Sequence, residues 1–258
     1  MKPDSAPSQA DAPARASAEF DRFSGAYEQV HNRYLPPGAR SHDFLMQKAG
    51  MVKHWVSTCF PAGESLSVLD FGCGTGRLLA AIADSAWCQA LAGVDESGAS
   101  LAEARAGLKP FSKPVAFGTT LAALGAQRQH DLVLMFNVLH HIPVANRVGV
   151  VRDVFATVRE GGVLAVWEHN PFNPLTRVLV AISPLDEHAH LISRRQTMAL
   201  MRQAGFESME SRYVNLFPPR LAVFSVVRRL DDALSGVPAG AQYWSLFRRS
   251  VREDAETL

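Results

Sequence analysis

The segment richest in chemistry is Ser67-Val-Leu-Asp70-Phe71-Gly72-Cys73-Gly74-Thr75-Gly76-Arg77-Leu-Leu79, an apolar run that turns through three glycines into a helix-forming stretch. Glycines there let backbone pass where a Cβ would meet a ligand, and they permit the positive φ of a tight turn. The N–H groups that open the following helix have no intrahelical partner and face whatever the loop holds. Two residues before Gly72 stands a carboxylate, Asp70. Beside a diphosphate it would repel like charge, whereas an ammonium or a sulfonium would attract it. The dinucleotide pattern G-x-G-x-x-G is not met either, because Arg77 holds the place of its third glycine.

A second carboxylate follows in register. Leu91-Ala-Gly-Val-Asp95 is a short apolar run ending 19 residues after Gly76, where an acid at the end of a second strand accepts hydrogen bonds from ribose hydroxyls. Helix capping is the plainer use of an aspartate at that point. S-adenosylmethionine carries an ammonium, a sulfonium and a ribose together. Polar clusters also follow two later apolar runs: Asn137-Val138-Leu-His140-His141-Ile-Pro143, and Glu168-His169-Asn170-Pro-Phe-Asn173-Pro174. Ligands in open α/β sheets bind beyond the carboxyl ends of the strands, so both clusters belong on the rim that carries Asp70 and Asp95. An imidazole is the natural acceptor for a hydroxyl proton near neutral pH, which makes His140, His141 and His169 the candidate bases. The structural alternative is that one histidine caps a helix and another packs. Glu168-His-Asn170 would bind hydroxyls or brace a histidine, while Asn173 before Pro174 reads as a helix cap.

These residues need a scaffold. The runs Leu66–Phe71, 91–94, 115–117, 132–136 and 163–167 read as strands, with helices at about 76–86, 97–107 and 145–159. Strands alternating with amphipathic helices give parallel crossovers and an α/β sheet covered on both faces. Helices are expected at 18–31 and 41–57 before the sheet, the second aligning Phe44, Leu45, Val52 and Trp55. Ser193 and Gln196 form a capping box for a helix ending at Gly205, followed by strands at 206–214 and 242–247 around a helix near 219–234.

At this point the chain resembles a family. Asp70-Phe-Gly-Cys-Gly-Thr-Gly76, Gly93-Val-Asp95, His130-Asp-Leu-Val-Leu-Met-Phe-Asn137 and Arg159-Glu-Gly-Gly162 are similar, in order and spacing over about 64–170, to the motifs of class I S-adenosylmethionine-dependent methyltransferases. The resemblance implies a seven-stranded, mostly parallel Rossmann-like sheet with an antiparallel last strand. It implies S-adenosylmethionine as cofactor, with Gly72, Gly74 and Gly76 lining the methionine moiety and Asp70 holding its amino group. Phe71, Cys73, Thr75, Asp95, Glu96, Thr119, Asn137 and Val138 complete the expected cofactor set. Phe117-Gly-Thr119-Thr120 departs from the family by offering no acid to adenine. Phe20-Asp-Arg-Phe-Ser-Gly-Ala-Tyr27 is similar to a segment that precedes the sheet in many small-molecule methyltransferases, which would bring Tyr27 to the methionine end.

Four regions are expected: a disordered leader 1–17, N-terminal helices 18–63 over the cofactor site, a methyltransferase domain 64–248, and a charged tail 249–258. Two apolar stretches, Leu175–Ile182 and Leu216 to Val227, would pack in the core or form a late-inserted lid over a small acceptor, partly apolar or lipid-linked, with Arg177 free for an acidic group. Asn170-Pro-Phe172 follows the fifth strand rather than the fourth, which opposes methylation of nucleic-acid bases. A net charge of +1 opposes a nucleic-acid partner too. No run of 18 apolar residues marks a transmembrane helix. Cys59, Cys73 and Cys88 form no C-x-x-C pair and suit a reducing cytoplasm. Asp186-Glu-His188-Ala-His190 puts its histidines on different faces of any helix, so a solvated loop is expected and no metal. The expected activity is methyl transfer to a small molecule at oxygen, by a chain that could pair as a homodimer. The rivals are a nicotinamide-dependent oxidoreductase, opposed by Asp70, a non-catalytic module that keeps the pocket, and an aminopropyl transferase, opposed by Asn137.

Overall fold

The computed structural model describes residues 21, 25–35, 38–125 and 129–251. The expected leader, the aromatic positions Phe20 and Phe23, and residues 252–258 of the expected tail lie outside them. Seven strands form one sheet: β1 (Leu66–Phe71), β2 (Cys88–Val94), β3 (Val115–Gly118), β4 (His130–Phe136), β5 (Val158–His169), β6 (Phe206–Val214) and β7 (Gln242–Arg249). Their spatial order is β3-β2-β1-β4-β5-β7-β6. Pairing is parallel from β3 to β5, and β7 runs antiparallel to both of its neighbours, β5 and β6. The helices are α1 (Tyr27–Tyr34), α2 (Ser41–Cys59), α3 (Arg77–Ala83), α4 (Gly98–Leu108), α5 (Arg147–Thr157), α6 (Pro174–Ile182), α7 (Arg194–Ala204) and α8 (Ser225–Ala233).

The inner strands β1, β4 and β5 are largely apolar because both of their faces are buried, while the edge strand β6 is mostly polar and exposed; the twofold period of the inner strands divides them between two cores. Leu132, Leu134 and Phe136 of β4 join Val163, Ala165 and Trp167 of β5 and Trp244 and Leu246 of β7 in one core. Val133 and Met135 join Leu164, Val166 and Phe247 in the other. The first core is covered by α2, α3 and α4, the second by α5 and α7. On α2, Trp55 is fully buried, with its ring 6.1 Å from that of Phe136, 6.3 Å from Trp167 and 5.1 Å from Trp244. Centroid spacings of this order are those of favourable aromatic pairs, so α2 is fixed to the centre of the sheet.

Several boundaries differ from those expected. The strand expected at 163–167 begins at Val158, because Val158 is fully buried and pairs with His130 before the register shifts at the two glycines. Gly161 has φ +73°, and a Cβ on Gly162 would stand 3.0 Å from the Asp131 carbonyl oxygen, so this stretch needs glycine where sequence alone reads a loop. The helix near 219–234 is interrupted: a 3-10 turn over Pro219–Val223 precedes α8. The capping box at Ser193 forms as expected, with Gln196 bonded back to the Ser193 N–H, and Gly205 ends α7 in the left-handed region at φ +104°.

Candidate active site

β1 lies between β2 and β4, so the chain leaves it toward opposite sides of the sheet and a crevice opens at the carboxyl ends of these strands. There a cavity of about 390 Å³ is lined by the Asp70–Thr75 loop, Asp95, Glu96, Asn137, Val138, His140, His141 and His169. Its volume is in the range of small-molecule sites. The outer wall comes from α1 and α2, through His31, Phe44, Leu45 and Lys48, and from Leu185 and Asp186.

The three loop glycines have separate roles. The Gly72 and Cys73 N–H groups both donate to the Val94 carbonyl, at 2.7 and 3.0 Å, which ties the loop to β2. A Cβ on Gly72 would fall 2.3 Å from Val138 Cγ2, so glycine there lets the loops after β1 and β4 close on each other. Gly74 (φ +51°) has no neighbour within 4 Å of its Cβ position and faces open space. Gly76 is not part of the cavity wall, contrary to expectation. At φ +73° it precedes α3, and its Cβ position is 2.9 Å from Ala104 Cβ and 3.0 Å from Leu108, so it allows α3 to pack against α4. Thr119 is likewise exposed and away from the cavity, because the chain folds sharply at Gly118, whose Cβ position is taken up by Ala123 and the Thr120 carbonyl. The backbone of Tyr27 opens α1, but its side chain lies outside what the structure describes.

Electrostatics distinguish the two ends of the cavity. Asp70 is 3% exposed; burial first, then the Asp95 charge, push its pKa up to about 7, with Lys48 opposing. Burial also raises Asp95, although its carboxylate accepts the Gly74 N–H at 2.7 Å and the Ser97 N–H at 3.0 Å. A carboxylate has lone pairs enough to accept further donors beyond these two. Asn137, at φ +59°, has a buried side-chain oxygen with no hydrogen-bond partner among the described residues. Two mutually repelling carboxylates, an open glycine and an orphaned amide oxygen fit a cationic ligand rich in donors, as S-adenosylmethionine is.

The opposite end is a histidine cluster. Glu168 is fully buried; one of its oxygens accepts the Val138 and Leu139 N–H groups at 2.9 and 2.7 Å, and the other meets His140 Nδ1 at 2.5 Å. On the far side of the same ring, Asp186 Oδ1 is 3.4 Å from His140 Nε2 and 3.7 Å from His141 Nε2. Burial alone would depress His140, but carboxylates on both sides of the ring hold its pKa at about 9. His141 falls to about 3 and His169 to about 4, each through burial and then the His140 charge. Thus the buried ring is the charged one and its two neighbours are neutral.

Asp186 corrects the expectation of a solvated loop: it ends the Pro184–Asp186 turn, its side chain is 15% exposed, and it faces the histidines after β4, while His188 and His190 are exposed. The His190 N–H donates to the His140 carbonyl at 2.7 Å, and the Arg147 guanidinium bridges the His190 and Ile142 carbonyls, locking the two loops together. Asn170 is fully buried and donates to the Pro238 and Gly240 carbonyls, away from the cavity, and Asn173 caps α6. α6 is not the lid that its composition suggested. Leu175, Val178 and Ile182 are each more than half exposed and none lines the cavity.

Sequence reasoning missed Lys48. Its ammonium lies 5.8 Å from the ring centres of both Phe136 and Trp167, and its pKa is lowered to about 8 by burial against the charges of Glu168 and Asp70. The signal was available, since Lys48 falls on the same helical stripe as Phe44, Val52 and Trp55, where a charge has no ordinary reason to be.

A family model described as "Methyltransferase domain" matches residues 19–211. No individually curated protein matches the chain. Among solved structures, a Thermotoga maritima protein described as "SAM-dependent methyltransferase, possible histamine N-methyltransferase" is 20% identical, with 91% of this chain and 100% of that one covered and a TM-score of 0.64. Magnesium protoporphyrin IX methyltransferase from Synechocystis, with bound SAH, is 18% identical over 93% of this chain and 100% of that one, TM-score 0.62. The [4+2]-cyclase SpnF is 16% identical over 93% and 97%, TM-score 0.62. With three quarters of its length under one family model and this strand order, the chain belongs to the methyltransferase-domain family and has the class I S-adenosylmethionine-dependent methyltransferase fold.

Proposed function

We propose that the chain methylates a hydroxyl oxygen of a small molecule, with S-adenosylmethionine as donor. The observation that carries this reading is the polarity of the cavity, with the carboxylates Asp70 and Asp95 at one end and the imidazoles His140, His141 and His169 at the other. Bound S-adenosylmethionine supplies a methyl group already activated by its sulfonium, so the protein has mainly to align a nucleophile and exclude water. Asp70 would accept the ammonium of the methionine end. The loop around Gly74, with Phe71, Cys73 and Thr75, would follow the methionine backbone, and Asp95 and Glu96 would accept the ribose hydroxyls. The Asn137 oxygen and Val138 would complete that wall.

At the other end His140 has a carboxylate on each ring nitrogen and serves as a fixed charge that orients its neighbours. His141 and His169 then offer neutral nitrogens that accept a hydrogen bond from the acceptor hydroxyl and take its proton only as its oxygen bonds to the methyl carbon and the sulfonium leaves, when that proton has become strongly acidic. Phe44, Leu45, Ile142 and Leu185 line the outer cavity and suit an acceptor with an apolar portion. No described helix is long and apolar enough to cross a membrane, and the three free thiols support the reading of a reducing, cytoplasmic setting. Calorimetry with S-adenosylmethionine, S-adenosylhomocysteine and NAD tests the cofactor, and labelled methyl transfer to matched hydroxyl, amine and carbon acceptors tests the reacting atom. Preference for NAD would refute the first, and label on amines alone the second.

A further inference from the structure

We infer that His140, His141 and Asp186 form a binding site for one divalent transition-metal ion, open to the cavity. The inference deepens the proposed function and rests on it for what the ion would do, not for whether it binds: in the loaded state the ion takes the place of the proton on His140, both His140 and His141 are ligands, and His169 alone is left as the proton acceptor. One ring nitrogen from each histidine and one Asp186 oxygen all lie within 4.8 Å of one another. The His140 and His141 Nε2 atoms are 3.4 and 3.7 Å from the same Asp186 oxygen. A tetrahedral ion with bonds of about 2.0–2.2 Å keeps its ligand atoms roughly 3.3–3.5 Å apart, so one edge is already at that spacing and the others need only small side-chain rotations.

The surroundings are those of a supported site. A ligating imidazole characteristically gives its other N–H to a carboxylate, which sets the ring's tautomer and orientation. His140 does this with Glu168, itself fixed by the Val138 and Leu139 N–H groups. Arg147 holds the loops bearing the ligands against each other. Two imidazoles and one carboxylate suit zinc, iron(II) or manganese rather than magnesium or calcium, which favour all-oxygen sites. All three residues line the cavity, which leaves a fourth position facing the acceptor space. An alcohol or phenol oxygen is the ligand class for that position, and coordination there makes its proton far more acidic. His169, beside His140 at 5.1 Å between ring centres, remains as the neutral imidazole next to it.

The test is a titration of the full-length protein, freed of metal by chelation, with cobalt(II) alone, read by visible absorption. The expected result is one equivalent with the intense bands of four-coordinate cobalt, displaced by zinc. Asp186→Asn and His141→Asn should each weaken it by at least about tenfold, while His188→Asn with His190→Asn leaves it unchanged. His141 is partly exposed, so its variant keeps the test valid should Asp186→Asn not fold. No four-coordinate spectrum up to millimolar cobalt, or equal binding in all variants, overturns the inference. If cobalt fails to bind while the chelated protein still takes S-adenosylmethionine and transfers methyl groups, the metal site alone falls. If cobalt binds as expected while the protein ignores S-adenosylmethionine, the functional reading alone falls.

Discussion

Replacing Asp70 with asparagine separates two consequences of one buried charge. The carboxyl has a pKa of about 7 in the folded chain against 3.8 for the unperturbed group. Each unit of difference is worth about 1.36 kcal/mol, so keeping Asp70 ionised inside the ligand-free protein costs up to about 4 kcal/mol at pH 8. Because the folded value is the higher one, the cost is absent below about pH 4, grows as pH rises to about 7 and is constant above that. Asparagine carries no charge at any pH. The variant should therefore melt several degrees above the wild type at pH 8, with the two curves converging toward pH 4. Binding should respond in the opposite sense. Loss of the charge-assisted bond to an ammonium raises the Kd for S-adenosylmethionine at pH 8 by about 100-fold. In the wild type that affinity falls by about tenfold per pH unit below 7, as the carboxyl takes up a proton. Thermal melts and calorimetry across pH 5–8.5 check both. An asparagine variant less stable than the wild type at pH 8, or a wild-type affinity that is flat from pH 5.5 to 8, would refute the reasoning.

The loop glycines offer a contrasting pair. Gly76→Ala, strained at φ +73° and crowded by Ala104 and Leu108, should cost about 2–4 kcal/mol of stability in urea melts. Gly74→Ala, whose added methyl meets only open space, should cost about 1 kcal/mol yet raise the cofactor Kd by more than about tenfold as the methyl enters the cavity. Glu168→Ala leaves the His140 charge and two backbone N–H groups without their partner and should lose about 3–5 kcal/mol in the same melts, with Glu168→Gln losing less. Lys48 is the charge that favours ionised Asp70, so Lys48→Met should move the pH at which cofactor binding is lost upward from about 7, measured by calorimetry.

What could be read from the sequence was what local spacing determines. The turn from Asp70 to Gly76, the alternation of strands with helices up to β5, and the Ser193–Gln196 cap depend on residues a few positions apart, and the structure has them where expected. The site's acceptor end was only half legible, because its partners come together through the tertiary fold. His140 and His141 could be placed on the rim, but their meeting with Asp186 depends on the turn after α6 and on Arg147 joining two loops. From the sequence, Asp186 stands beside His188 and His190 in what reads as a solvated loop. α6 misled for a related reason: its apolar residues suggest burial, yet they stand exposed because only Thr176 and Val180 face the body of the protein.

The position of β7 has a consequence for synthesis. The last strand among the described residues, made after β6, is the one that fits between β5 and β6, pairing with β5 from Val163 through His169. Until it arrives, the strand bearing Glu168 and His169 is an uncovered edge, prone to pair with other chains. A nascent chain can assemble β1 to β4 early, but β5 is covered on both sides only once β7 has been made. A stop early in β7 (Gln242–Arg249) would thus yield not a weakened enzyme but a sticky fragment for proteases to clear.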